Sequence, residues 1–318
     1  MNGVTQDFET DDLRLFLEKS LGFGLSSLTR LPGHTWSVNF RAQRARDGMV
    51  FAVKCVDSGK SDLHAARCAA LVSHLDELSG AQTTHRLFPE APERYLRYRL
   101  VLTSWCPGER RFPDQLSSEE FSRFLDDYAA FSRALQHASH VDAPDDLPGL
   151  WRAALAALSN GPVAWLGRIL REEIPLADVT YRQEALRVTH GDLHHGNFHF
   201  ERGRVSGFFD LEEFRYGYPA QDIMRYVICA AEHVRWYAFW RRRTICRRFA
   251  LAVRRLGYSE HEWTLAIDAY FLWKVDGRIR SGRIAFPKAV NLWFRYGLYR
   301  RLKGIVRDIL AHQGAIVA

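Results

Sequence analysis

The spacing of apolar and polar positions changes character along the chain, from a short helical start through period-two segments to a long stretch of helical period. Residues 10–20 carry an amphipathic helix pattern, with Thr10 as the predicted N-cap, Asp11 and Asp12 in the first turn, and Gly22 with Gly24 past the end. Strand-like segments follow near 25–31, 38–46 and 49–56, and Asp47-Gly48 between the last two predicts a type I′ hairpin turn. A helix is predicted over 65–78. An apolar strand over 99–105 then runs into the breaker cluster Cys106-Pro107-Gly108. Ser117 and Glu120 have capping-box spacing, and Phe121, Phe124, Leu125, Tyr128 and Leu135 mark one helical face through about His137. A Pro- and Asp-rich connection over 142–149 precedes short helical patterns at 151–158 and 163–171. Residues 198–200 and 205–209 predict a hairpin closed at Arg202-Gly203, and from Asp222 onward the pattern is helical. This order predicts an α+β protein of two lobes, a small antiparallel-sheet lobe over 1–106 and a larger, mostly helical lobe over 107–318. A cleft between such lobes is a natural ligand site.

Composition narrows the class. The 318 residues are 47% hydrophobic and 25% charged, which supplies a sizeable core and argues against disorder. No uncharged apolar run reaches the roughly 18–20 residues that span a bilayer, and the acidic opening MNGVTQDFETDD lacks the apolar segment of a secretory signal. Five cysteines, Cys55, Cys68, Cys106, Cys229 and Cys246, form no CxxC pair, which fits a reducing compartment. A cytoplasmic protein is expected. Charge is uneven: from Arg215 onward the formal net is +13, and the preceding residues carry −6. So basic a C-terminal third predicts an anionic partner, or else a solvated basic helix surface. Nucleic acid is not the expected partner, because no helix-turn-helix, RNA-recognition or zinc pattern accompanies the charge.

The segment richest in chemistry is His190-Gly191-Asp192-Leu193-His194-His195-Gly196-Asn197, with Asp210 thirteen residues after Asn197. Phosphoryl transfer needs a carboxylate that orients the acceptor hydroxyl and takes its proton, and oxygen ligands for Mg²⁺ on the phosphates. Asp192 meets the first need. Asn197 and Asp210 meet the second, since Mg²⁺ prefers carboxylate and amide oxygens, and a hairpin between them brings both to one end. Asp, Asn and Gly also favour turns. Turn formation alone does not explain a base, an amide and a second carboxylate in that order. His190 reads as a clamp of the loop, and the adjacent His194 and His195 as solvent or substrate contacts, having no third metal ligand.

At these residues the chain resembles the aminoglycoside phosphotransferase and choline kinase-like family, relatives of the protein kinases. HGDLHHGN fits that family's HGDxxxxN loop, FFDLEEFRYGYPAQD its metal-binding Asp segment, and Asp222 the later acidic position that supports the loop. FAVK places Lys54 where the family holds the α- and β-phosphates. LVLTSWCPGE resembles the hinge strand, where backbone groups of Ser104, Trp105 and Cys106 meet adenine. The resemblance spans about residues 25–230 and implies a protein kinase-like fold that uses ATP and Mg²⁺. Two departures stand out. The phosphate loop near 31–37 has only Gly33, with the Ser37 or Thr35 hydroxyl to assist its backbone N–H groups. The helix after Lys54 has Arg67 where the family offers a Glu, leaving Asp62 or Glu77 as substitutes.

The expected activity is therefore ATP-dependent phosphorylation of a hydroxyl on a small molecule or glycoconjugate. Glu212, Glu213 and Glu232 in the acceptor region are outnumbered by Arg215, Arg225, Arg235 and Arg241 to Arg243. Arginine is the preferred planar donor to oxyanions, so an anionic sugar or glycolipid sugar is the expected acceptor. The alternatives are a cationic acceptor of the aminoglycoside or choline type, and an inactive pseudokinase scaffold. The segment from Leu292 to Leu310 reads as a basic amphipathic helix. It is expected either to touch an anionic membrane at its inner face or to pack on the lobe with its arginines solvated.

Overall fold

The computed structural model describes residues 9–32, 37–57, 71, 75, 87–88, 92–137, 186–234, 238–280 and 286–317. Gly33, Thr35, Asp62, Arg67, Glu77 and Arg235 lie outside the described residues, as do the connection and helical patterns expected over 142–171. Of the helix expected over 65–78, Leu71 and Leu75 are described. Both are helical and buried, four residues apart on one face.

The N-terminal region is a helix, α1 (Thr10–Leu21), on an antiparallel sheet of β1 (Leu25–Arg30), β2 (Ser37–Arg44), β3 (Val50–Asp57), β4 (Arg94–Tyr95) and β5 (Tyr98–Ser104), in the order β1-β2-β3-β5-β4. Glu9 rather than Thr10 is the α1 N-cap, and Gly22 closes the helix. Period-two alternation sends Phe51, Val53 and Cys55 into a core shared with Leu13, Leu17, Phe40 and Leu102. Lys54 therefore projects from the opposite face.

The turn between β2 and β3 departs from the type I′ expectation. Five residues separate the strands, Gly48 N–H donates to the Arg44 carbonyl at 3.0 Å, and only Gly48 has positive φ. A type I′ turn needs positive φ at both central residues. Asp47 is instead held by its side chain, which accepts from Met49 N–H at 3.1 Å and pairs with Arg44 at 2.8 Å.

Past the linker at 105–112 the chain forms α2 (Ser118–Gln136), β6 (Arg187–Thr189), the hairpin β7 (Phe198–Glu201) and β8 (Arg204–Phe208), β9 (Arg215–Gly217), and helices α3 (Ala220–His233), α4 (Phe239–Leu256), α5 (Glu260–Arg280) and α6 (Phe286–Val317). The predicted capping box opens α2: Ser117 Oγ accepts from Glu120 N–H at 3.1 Å, and Glu120 Oε2 from Ser117 N–H at 2.8 Å. Its apolar face, Phe121, Phe124, Leu125 and Tyr128, is buried against the hairpin and α3, where Phe124 stacks on Phe198 at 5.1 Å. The hairpin turn, unlike the one at Asp47, has positive φ at both Arg202 and Gly203.

In α6 the apolar residues Tyr296, Tyr299, Leu302 and Val306 are buried in the helical core, while Arg301 and Arg307 are exposed. From Tyr296 onward, the apolar face expected to meet either a membrane or the lobe is thus packed in the lobe. No described helix is long and apolar enough to cross a membrane. The described cysteines Cys55, Cys106, Cys229 and Cys246 are free, and burial pushes the thiols of Cys55 and Cys106 up to about 12, which makes them inert.

Candidate active site

The short pair β6–β9 brackets two loops, 190–197 and 209–214. Thr189 pairs with Arg215, so the loops leave the same end of one ladder. Between them the β7–β8 hairpin pairs Phe198 with Phe208, and Phe209 N–H donates to the Asn197 carbonyl at 3.0 Å. The hairpin thus brings Asn197 beside Asp210, as the sequence spacing predicts.

Three groups fix the 190–197 loop. Buried Asp222, at the start of α3, accepts His190 N–H at 2.9 Å and Gly191 N–H at 3.0 Å. Burial raises its pKa to about 6, against the lowering effect of those two hydrogen bonds. Tyr128 Oη lies 3.4 Å from the same carboxylate and donates to the Pro219 carbonyl. His190, fully buried, donates Nε2–H to the Phe209 carbonyl at 2.9 Å and accepts Asp192 N–H on Nδ1 at 3.3 Å. It clamps the loop as a neutral imidazole, since burial lowers its pKa to about 4. Gly191 has φ +76°, and a Cβ there would stand 1.9 Å from the Glu213 carbonyl oxygen.

Asp192, the expected base, has its two oxygens on different neighbours. Oδ1 is ion-paired with Arg225, and Oδ2 lies 3.7 Å from His194 Nε2. His194 Nδ1 accepts Gly196 N–H at 2.9 Å, so Nε2 carries the proton of the neutral ring. Asn197 spends its side-chain Nδ2 on the Asp192 carbonyl at 2.9 Å, so its oxygen is the atom that could hold a metal. Asp210 sits in left-handed backbone conformation, φ 65°, and its side chain is 38% exposed. Lys54 Nζ reaches across from β3 to Asp210 Oδ1 at 2.6 Å. The protein around Asp210 raises its pKa, but the charge and hydrogen bond of Lys54, with His190 and His194 nearby, hold it below the usual range.

The hinge expected to meet adenine is only partly open. Ser104 remains in the β3–β5 ladder opposite Phe51, and Trp105 lies under the Arg41 guanidinium. The Cys106 carbonyl is taken by His199 Nδ1 at 2.8 Å, which commits that oxygen to the hairpin. Pro107 accepts from Ser206 Oγ at 2.5 Å, and Glu109 exchanges two backbone hydrogen bonds with Phe200 at 2.9 Å. Gly108, φ +103°, lets this close approach happen, since a Cβ would meet the Phe200 oxygen at 2.1 Å. Ser37 begins β2, opposite Val56.

The region expected to meet the acceptor is less basic than its arginine count implies. Arg215 pairs with Glu213 at 3.0 Å, Arg225 with Asp192, and Arg241 with Asp114 at 2.5 Å, while Arg242 donates to the Val234 carbonyl at 3.3 Å. Arg243 is exposed. Sequence reasoning also missed Phe112 and His233. The His195 ring packs tilted against Phe112 at 3.9 Å, and His233 lies 5.4 Å from both rings. Burial first, then the neighbouring His194, His233 and Arg110, lowers the His195 pKa to about 4. Nothing in the spacing of Phe112, His195 and His233 announces this cluster. Arg225 was visible only as one basic residue among many, although it follows Asp222 by one helical turn.

Comparison with known proteins agrees with this geometry. The model of the phosphotransferase enzyme family matches residues 27–256. No curated protein matches the chain. Among solved structures, a thermostable mutant of aminoglycoside phosphotransferase APH(4)-Ia, in ternary complex with AMP-PNP and hygromycin B, is 15% identical with a TM-score of 0.61. That match covers 93% of this chain and 98% of the other. ADP-bound aminoglycoside phosphotransferase APH(2'')-Ib is also 15% identical over the same shares, with a TM-score of 0.59. Aminoglycoside phosphotransferase APH(3'')-Id from Streptomyces rimosus is 18% identical, covering 84% of this chain and 99% of that one, with a TM-score of 0.53. At such identities the likeness is one of fold, and it bears out the two-lobed kinase-like architecture. With a family model covering most of its length and the expected loop in place, the chain belongs to the phosphotransferase enzyme family.

Proposed function

We propose that this protein is an ATP-dependent kinase that phosphorylates a hydroxyl of a small molecule or glycoconjugate. One observation carries the reading: a carboxylate, an amide oxygen, a second carboxylate and a lysine from β3 come together at one place. In this reading residues 1–106 hold the nucleotide and 107–318 carry catalysis and acceptor binding. Lys54 grips the phosphates, leaving Asp210 to the metal. The Asn197 oxygen and Asp210 suit Mg²⁺, being hard oxygen donors beside each other, and bound Mg²⁺ would neutralise charge on the phosphates. The backbone of Ser104, Trp105 and Cys106 would meet adenine, with the Cys106 carbonyl engaged by His199. Asp192 orients the acceptor hydroxyl. As the hydroxyl oxygen bonds to the γ-phosphorus, the bond to the β–γ bridging oxygen breaks, ADP leaves, and the hydroxyl proton passes to Asp192.

An anionic sugar remains the acceptor we favour, because Arg225 stands directly on the catalytic carboxylate and Arg110 lies near the histidine cluster. The second reading, a cationic acceptor, is favoured by the structural neighbours, one of which is a complex with gentamicin. Transfer from γ-labelled ATP with Mg²⁺, using acidic sugars, phosphosugars, choline and aminoglycosides as acceptors, tests both. Label on any acceptor that disappears in Asp192→Asn supports the kinase. A variant with wild-type transfer rates overturns the assignment, and absence of both label and ATP binding points to a scaffold.

A further inference from the structure

We propose that Arg225 is a specificity residue that recognises an anionic group on the acceptor, and that it releases Asp192 on doing so. The inference rests on the kinase reading above and extends it to the substrate class.

The geometry sets the problem. A base that is to receive a hydroxyl proton needs a free carboxylate oxygen, yet Asp192 Oδ1 is occupied by the Arg225 guanidinium and Oδ2 faces the His194 Nε2–H. A guanidinium on Oδ1 blocks the position from which that oxygen would meet an acceptor hydroxyl, so the paired state is poorly placed to act as a base. Arg225 cannot leave cheaply. Its side chain is 14% exposed, it grows from α3 one turn after the loop-supporting Asp222, and its Nη1 donates to the Gly191 carbonyl at 3.3 Å. Burial lowers its pKa, consistent with a charge that benefits from a paired anion. Glu232, Cys229 and Tyr270 also act on its charge, so Glu232 is the second carboxylate within its field.

A planar guanidinium matches carboxylate, sulfate and phosphate oxygens through two parallel N–H groups. An acceptor carrying such a group beside its reactive hydroxyl can take the Arg225 donors in place of Asp192 Oδ1. The freed oxygen then faces the hydroxyl. An acceptor without the anion gains no such exchange, and a cationic one meets the guanidinium as a like charge. The pair thus ties acceptor chemistry to base availability.

Inorganic sulfate, with no ATP present, is the probe. If Asp192 and an external anion compete for Arg225, titration calorimetry will show Asp192→Asn binding sulfate about tenfold more tightly than the wild-type chain. Arg225→Gln will bind it at least tenfold more weakly, the scale of a lost charged hydrogen-bond pair. Unchanged affinity in Asp192→Asn, or wild-type affinity in a folded Arg225→Gln, overturns the proposal. Arg225→Lys guards against misfolding: retained charge should give an affinity between wild type and Gln. Because these titrations use no nucleotide, they fail or succeed apart from the kinase reading. Equal transfer to neutral and anionic acceptors by the wild-type chain, or an undiminished anionic preference in Arg225→Gln, would leave the kinase intact and remove this inference.

Discussion

Replacing Gly191 by Ala adds one carbon where the structure has no room for it. The residue has φ +76°, a conformation that costs an L-amino acid about 1–2 kcal/mol. The new Cβ would lie 1.9 Å from the Glu213 carbonyl oxygen and 2.8 Å from its carbon, both backbone atoms that cannot rotate aside. Reaching ordinary contact, beyond about 3.4 Å, requires the 190–197 and 209–214 loops to part by roughly 1.5 Å, a rearrangement on the scale of overpacking at about 1–3 kcal/mol. The two terms sum to about 2–5 kcal/mol. Parting the loops also loosens the hydrogen bonds of Gly191 and His190 N–H to Asp222, which are 3.0 and 2.9 Å long. Asp192 is the next residue, so its carboxylate moves with the loop. A misplacement of about 1 Å at reacting atoms costs on the order of 10²-fold in rate. Urea unfolding and Mg-dependent ATP hydrolysis, with water as acceptor, should therefore fall together. A variant within 1 kcal/mol of wild type, with its hydrolysis rate intact, would refute the claim that this contact positions the proposed base.

Three further outcomes follow from other contacts. Lys54→Met removes the partner of Asp210, so Mg·ATP should bind about tenfold or more weakly by calorimetry and the Asp210 pKa should rise; binding within twofold of wild type would contradict the role of Lys54. His190 is buried and neutral with its pKa lowered from 6.5 to about 4, so its contribution is complete above pH 6.5 and is lost as pH falls toward 4. The stability of wild type minus that of His190→Gln should drop by ~3 kcal/mol across that window, while Asp222, raised to about 6, has the opposite slope and cancels in the difference. Ser117→Ala removes the α2 cap and should cost about 1 kcal/mol in urea unfolding, with Mg-dependent ATP hydrolysis unchanged.

Local patterns made much of the architecture legible. The strands β1 to β3 and β5, the α2 capping box and the hairpin at Arg202-Gly203 depend on neighbours within a few residues, and the sequence locates each of them. The Asp47-Gly48 turn departs from type I′ for a local reason as well. The Asp47 side chain found a nearer donor in Met49 N–H and a partner in Arg44, and the backbone took a longer turn around them. Strands β4, β6 and β9 are two or three residues long and form only because a partner lies alongside.

The candidate site divides in the same way. Order and spacing along the chain determine that Asp192, Asn197 and Asp210 share one end of a hairpin, because a two-residue turn fixes which residues face each other. Only the tertiary structure decides that Lys54 meets Asp210 across 156 residues, that His199 takes the Cys106 carbonyl, and that Arg225 rests on Asp192. It also decides what the basic C-terminal third amounts to. A charge counted along the chain has no partner until packing supplies one. Here folding sets Arg215, Arg225 and Arg241 against Glu213, Asp192 and Asp114, converting part of a net charge into specific, partly buried pairs.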